Sequence, residues 1–255
     1  MNILLTNDDG PYGPGLLPTL KLMREYGEVT AVCPAQEQSG VGHAITYLVP
    51  VRAGTACLED GTTVSTLTGM PADCIKFALL ELLDSPPDLI VSGLNFGINV
   101  GVDVFYSGTV AAALEGAFNG IFSIALSTSR QNGDRMAAVV GEARRALDLL
   151  LEEASASAQA FNVNIPALAA RRPEVRFTRQ SLVFPRGNYL RMEGPRDRVH
   201  YWLDSTTNVG PPEPDCDVAA IEAGDISVTP LRPDLTDAAA LKRLRERLCA
   251  RVARS

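Results

Sequence analysis

Five short apolar runs, each ended by polar or turn-forming residues, constrain what this chain can fold into more than anything else in it. They are Asn2 to Thr6 (NILLT), Glu28 to Cys33 (EVTAVC), Asp88 to Ser92 (DLIVS), Phe122 to Ser127 (FSIALS) and Phe161 to Pro166 (FNVNIP). Near-continuous apolar character marks strands covered on both faces, as in parallel sheets. The segments between most of them carry helix signals. Leu16, Leu20 and Met23 fall at helical spacing before Gly27, and Pro71-Ala72-Asp73 opens PADCIKFALLELLD. A helix of small residues begins at Ser107 (SGTVAAALEGAFNG), and Met136 to Glu153 is amphipathic. Strand and helix in alternation, joined by right-handed crossovers, predict an α/β fold with a doubly wound core over residues 1–166, in which FNVNIP is the last strand of the main sheet. ITYLVPVRA (45–53) and TTVSTLTG (62–69) read as two further strands.

From Arg171 the periodicity changes. Short β-like pieces (VRFTRQSLVF, NYLRM, VHYWL) are separated by Pro, Gly and charge, DVAAIEAGDISVTPL returns to a helix-strand pattern, and LTDAAALKRLRERLCARVARS closes as a basic helix. Residues 167–255 therefore read as a C-terminal β-rich arm with a terminal helix. The net charge of −7 disfavours duplex nucleic acid as a partner, because phosphate contacts need a basic face. It leaves open a small phosphorylated ligand held through a metal. The first ten residues lack the basic start of a signal peptide, and the longest apolar candidate, near 109–127, is broken by Glu115 and Asn119. Cys33, Cys57, Cys74, Cys216 and Cys249 are odd in number and scattered, which reads as reduced thiols in a cytoplasmic protein. His43 and His200 alone cannot build a histidine-rich zinc site, so any metal must take oxygen ligands, which suits magnesium or manganese.

Three polar clusters follow strands: Asn7-Asp8-Asp9-Gly10, the loop from Gln38 to His43, and Ser92 to Asn95. In a parallel sheet the carboxyl ends of the strands share one edge, so these loops converge there. Asp8, Asp9, Ser39 and Asn95 together offer two carboxylates, a hydroxyl and an amide oxygen, a set that suits one hard divalent cation with positions left for water and substrate. Taken singly, the same residues are ordinary turn formers and loop braces. Ser107-Gly108-Thr109 at a helix start suits an anion, although a serine N-cap alone explains Ser107. His43 stands where it either donates a proton to a leaving oxygen or braces its loop. His200, beside Tyr201 and Trp202, and the pair Asn162 and Asn164 read as structural.

TNDDG, the QSGVGHAIT segment, GMPADC, PDLIVSGLNFGINVG, YSGTVAAALEGAFNG, FNVNIP and ISVTPLRPDLT occur in that order from Asn2 to about Thr236. Together they resemble the SurE (survival protein E) family of metal-dependent 5′-nucleotidases. The resemblance implies a Rossmann-like, three-layer α/β/α core and a C-terminal arm exchanged between subunits of a dimer or tetramer. It also implies hydrolysis of nucleoside 5′-monophosphates, with 3′-monophosphates and other phosphoesters as further substrates. By motif position, Asp8, Asp9, Ser39 and Asn95 correspond to the metal ligands, with Asp8 and Asp9 catalytic, and Ser107, Gly108 and Thr109 fall on the phosphate segment. Three positions depart from the family pattern: Ala44 after the histidine, Cys216 before Asp217, and Asp225 where an aromatic is usual.

Other readings fit less well. A receiver-like signalling module also places an acidic pair after its first strand, but needs an Asp at the end of the middle strand, where this chain has Ser92 and Asn95. The first turn lacks the G-x-G-x-x-G of a dinucleotide-binding dehydrogenase. Asp8 and Asp9 are adjacent, unlike the D-x-D of haloacid-dehalogenase-type phosphatases. A non-catalytic nucleotide-binding or regulatory protein on the same fold is the alternative to an enzyme.

Overall fold

The computed structural model describes residues 1–152, 160–183, 186–195, 198–207 and 211–252. The apolar runs become β1 (Asn2–Thr6), β2 (Glu28–Pro34), β5 (Leu89–Phe96), β6 (Ser123–Thr128) and β7 (Ala160–Ile165). With β3 (Ala53–Cys57), β4 (Thr63–Leu67), β8 (Val175–Phe177) and β11 (Ile226–Leu231) they form a nine-stranded sheet in the order β3-β4-β2-β1-β5-β6-β7-β11-β8. Strands β4 to β7 in that row run parallel, whereas β3 and β11 are antiparallel to β4 and β7.

Helices cover both faces, for a reason visible along single strands. Ile3 and Leu5 of β1 point into one core layer and Leu4 into the other. Leu89 and Val91 against Ile90 in β5 repeat the pattern, as the period of two requires. The first layer is closed by α1 (Leu16–Met23) and α4 (Met136–Glu152), which buries Val139, Ala143, Ala146, Leu147 and Leu150 at helical spacing. The second is closed by α2 (Pro71–Phe77), continued by a π-helical turn at Ala78–Leu82, and by α3 (Gly108–Phe118). The small residues of α3 let it lie close on the sheet: a Cβ on Gly116 would sit 2.3 Å from Ser123 Oγ. A fully buried leucine or isoleucine contributes roughly 1.5–3 kcal/mol, so these two layers dominate the stability.

The expected three-layer α/β/α core is present, and three local expectations change. Residues 45–52 form no strand; Tyr47 and Leu48 are exposed and Pro50 lacks an N–H to give a ladder, so pairing begins only at Ala53, antiparallel to β4. Strand β5 runs on through Asn95 to Phe96. FNVNIP is not the last strand of the main sheet: β11 pairs with β7 and β8 pairs with β11. A change in periodicity reports a change of connection, and does not say which sheet a later strand joins. Of the strands after Arg171, only β9 (Arg186–Gly194) and β10 (Arg198–Thr207) stand apart, as a two-stranded antiparallel ribbon. Helix α5 (Asp217–Glu222) leads into β11, and α6 (Ala238–Val252) ends the described chain. Its Leu241, Leu244 and Leu248 are exposed.

Two of the departures from the family pattern have local explanations. Asp225 is buried, with Arg171 at 2.6 Å, Arg176 at 2.7 Å and the Glu174 N–H donating to it. Cys216 is buried at the start of α5, where its Sγ accepts from the Ala219 N–H at 3.5 Å.

Candidate active site

Strand β1 lies between β2 and β5, and the chain leaves it in opposite directions on the two sides. This is the switch point at which an open α/β sheet forms a crevice beyond its carboxyl edge. Asp8 and Asp9 follow β1 directly. The turn that carries them is closed by Asn7, which donates from Nδ2 to the Gly10 carbonyl at 2.8 Å and accepts the Gly10 N–H at 3.2 Å. Gly10 has φ +80°, a conformation that favours glycine, and a Cβ on Gly13 would sit 2.4 Å from the Asp9 Cβ.

The loops from β2 and β5 close on this turn. The Gln38 N–H donates to the Asp8 carbonyl at 2.8 Å and thereby brings Ser39 to the crevice. Within β5 the register against β6 shifts between Gly93 and Asn95, a bulge that re-aims the Asn95 side chain. Asn95 donates from Nδ2 to the Gly97 carbonyl at 2.8 Å, which turns its Oδ1 free for another partner. Asn162 and Asn164 act as braces, both donating to the Asn99 carbonyl.

Helix α3 completes the site. Ser107 is its N-cap, accepting the Val110 N–H at 3.1 Å. A Cβ on Gly108 would sit 3.1 Å from the Asp8 Cβ, so the helix start approaches the carboxylate as closely as backbone permits. The Thr109 hydroxyl donates to Asp8 Oδ1 at 2.8 Å.

Asp8, Asp9, Ser39, Asn95 and Ser107 line one cavity of about 370 Å³. A larger groove of about 880 Å³ along α1 and α4 has chiefly apolar walls and none of these residues. Burial pushes the Asp8 carboxyl above its ordinary range, against the hydrogen bonds from Thr109. Asp9 is pushed up to about 6, first by burial and then by the charges of Asp8 and Glu37, with Arg130 pulling the other way. Asp9 Oδ2 is buried without a hydrogen-bond partner among the described residues. An orphaned carboxylate oxygen beside a second buried carboxylate, with the amide oxygen of Asn95 and the hydroxyl of Ser39 nearby, fits a hard divalent cation. Ser39 donates its proton to Glu37 Oε1 at 2.7 Å, and its oxygen keeps lone pairs for a cation.

His43 lies elsewhere. Its Nε2 is 3.0 Å from Glu115 Oε2, which α3 presents two turns beyond Thr109, and its ring stacks on Phe118 with centroids 5.1 Å apart. Lys76 reaches the other oxygen of Glu115 at 2.8 Å. His43 faces a separate cavity of about 400 Å³ beside Val104 and Leu231.

Glu37, Asp103, Tyr106 and Arg130 also line the acidic cavity, and the sequence reading passed over them. Arg130 follows the end of β6, so the strand-end rule that selected Asn95 would have reached it. Asp103 sits in a 3-10 turn, Gly101–Phe105, within a loop dominated by glycine and asparagine.

Residues 3–184 match the family model described as Survival protein SurE. A protein named 5′-nucleotidase SurE from Syntrophobacter fumaroxidans is 43% identical over 237 residues, covering 92% of this chain and 95% of that protein. One of the same name from Rhodopirellula baltica is 40% identical over 238 residues, covering 92% and 94%. The crystal structure of the SurE protein from Aquifex aeolicus superposes with a TM-score of 0.80 at 31% identity, over 96% of this chain and 99% of that one. The chain belongs to the SurE family.

Proposed function

We propose that this chain is a phosphomonoesterase that hydrolyses nucleoside 5′-monophosphates to nucleoside and phosphate, with 3′-monophosphates and other phosphoesters as further substrates. The observation that carries the reading is the convergence of Asp8, Asp9, Ser39, Asn95 and Ser107 on one crevice in a chain whose relatives are named 5′-nucleotidases.

Asp8, Asp9, Ser39 and Asn95 would hold one magnesium or manganese ion, which supplies Lewis acidity and charge neutralisation to the transferring phosphoryl group. The first turn of α3 offers amides without helical acceptors and the positive end of the helix dipole to the phosphate oxygens at Ser107, Gly108 and Thr109. Thr109 holds Asp8 in one orientation through its hydroxyl. A carboxylate of the acid pair would orient the attacking water along the line opposite the leaving oxygen.

The ribbon β9–β10 supports self-association. An isolated hairpin is marginal in water, and this one exposes Tyr189, Leu190, Tyr201 and Trp202. Within residues 167–255 it is thus this ribbon, and not β8 or β11 of the main sheet, that supplies the oligomerisation element of a dimer or tetramer and is exchanged between subunits; light scattering on the full chain tests the assembly. Free cysteines at five positions support a reduced, cytoplasmic setting. Among the described residues no helix is long and apolar enough to cross a membrane.

The test is phosphate release from nucleoside 5′- and 3′-monophosphates with manganese, with magnesium and with a chelator. Release that requires the ion and disappears in Asp8→Asn is the expected result. Nucleotide binding by folded protein without release under any condition would replace the enzyme with a binding protein.

A further inference from the structure

The acidic cavity has an electrostatic problem that its cation does not solve. Among the described residues, four carboxylates, those of Asp8, Asp9, Glu37 and Asp103, line it with a single basic side chain, Arg130. A divalent ion offsets two of those charges, so a phosphate monoester dianion still enters a negative site. Substrate affinity then depends on whatever positive charge remains.

Arg130 is built into that position. Its backbone begins a 3-10 turn, Arg130–Arg135, at the end of β6, and the chain is pinned on either side of it, at Ser129 and at Asn132. The Ser129 N–H donates to the Ile165 carbonyl at 3.0 Å, and the buried Asn132 bonds Thr128 Oγ1 and the Pro166 carbonyl, each at 2.8 Å. The guanidinium is anchored by one edge: Nε donates to the Phe96 carbonyl at 3.0 Å, next to the ligand Asn95. Its two terminal amino groups make no hydrogen bond or ion pair among the described residues, and its charge is felt at Asp9. A held guanidinium with a free fork beside a cation site matches a tetrahedral oxyanion, because two parallel N–H donors fit two phosphate oxygens.

We infer that Arg130 is the substrate-affinity residue of this site, its terminal amino groups gripping phosphate oxygens turned away from Asp8 and Asp9 while Nε stays on Phe96. The inference rests on the phosphomonoesterase reading for its kinetic part only. A residue that merely held the 96–97 loop would serve the cation site, and its loss would weaken ion binding. A phosphate grip has the opposite signature: removing its charge leaves manganese affinity unchanged or raises it, because a cation next to a cation site has gone.

The experiment compares the full-length protein with Arg130→Gln and Arg130→Lys. It measures manganese binding by calorimetry, inorganic phosphate binding to the manganese-loaded protein, and KM and kcat for a nucleoside 5′-monophosphate. The expected result for Arg130→Gln is a rise of about ten- to a hundredfold in KM and in the phosphate dissociation constant, with kcat changed far less. Manganese affinity holds or improves, and Arg130→Lys recovers part of the loss. Unchanged phosphate binding in Arg130→Gln, or manganese affinity falling in step with it, would overturn the inference. If the parent protein releases no phosphate, the function proposed above fails, while the two binding measurements still decide on Arg130.

Discussion

Thr109 and Asp8, a hundred and one residues apart in sequence, are joined by a 2.8 Å hydrogen bond from the threonine hydroxyl to Asp8 Oδ1. Both groups are buried. The bond fixes one carboxylate oxygen and so decides which is left to face the cavity. Thr109→Val keeps the shape and removes the donor. It is expected to destabilise the metal-free protein by about 1–3 kcal/mol in urea unfolding, since a buried carboxylate loses its partner, whereas Thr109→Ser stays close to the parent.

Asp9 is placed at the expense of stability. Its Oδ2 is buried beside Asp8 without a partner among the described residues, so Asp9→Asn relieves a like-charge contact. With a chelator present, the variant should melt above the parent, at roughly 2–4 °C per kcal/mol for a chain of this size. Manganese should raise the melting temperature of the parent and leave the variant unmoved. A variant that melts lower than the chelated parent would show that Asp9 is structurally required.

His43 is held by Glu115 and Phe118 and faces away from the acid pair, so its geometry favours a brace. His43→Gln is expected to keep kcat within about threefold while lowering the melting temperature. Glu115→Gln, which takes the charge from beneath both His43 and Lys76, should destabilise by about 1–3 kcal/mol. A large fall in kcat for nucleotides with p-nitrophenyl phosphate unaffected would make His43 the donor to the leaving oxygen instead, because that leaving group needs no proton.

Asp225 gives the fold an acid limit. Burial works to raise its carboxyl, but the Glu174 N–H, Arg171 and Arg176 outweigh it and hold it below the ordinary value of 3.8. A depressed carboxyl stabilises the folded state above its unfolded value, and that stability is lost as pH falls through the folded one. Asp225→Asn should therefore flatten the acid limb of stability below about pH 4, read by denaturant unfolding across pH. An unchanged limb would place the acid transition in other carboxylates.

The candidate site was legible because it obeys a rule of topology: ligands gather where strand order reverses, and NILLT-NDD announces a strand end by its composition, as LIVSGLN announces the approach to one, although β5 itself runs on through a bulge to Phe96. Asp8, Asp9, Ser39 and Asn95 were reached that way, and the fold brings all of them to one cavity. What the sequence hid depends on distant partners. Ile45 to Val51 is apolar enough for a strand, yet Tyr47 and Leu48 are exposed and Pro50 has no N–H to give. Nothing local in DISVTP says that it runs antiparallel to FNVNIP. Glu37 and Asp103 matter only because their loops are folded over the carboxyl edge, and Arg130 because its backbone is pinned from two sides.

The place of β11 bears on how the molecule is made. On a ribosome, β7 emerges about sixty residues before the strand that covers its edge, a delay of several seconds at about 5–20 residues per second. The Gly101–Phe105 turn waits longer still, since Asp217, 116 residues further on, accepts the Gly101 N–H at 2.8 Å and Gln180 donates to the Gly101 carbonyl at 2.7 Å. A nascent chain released short of Leu231 thus carries Asp8, Asp9, Ser39 and Asn95 on an unfinished sheet. The last third of translation supplies the strand and the hydrogen bonds that close the crevice from behind.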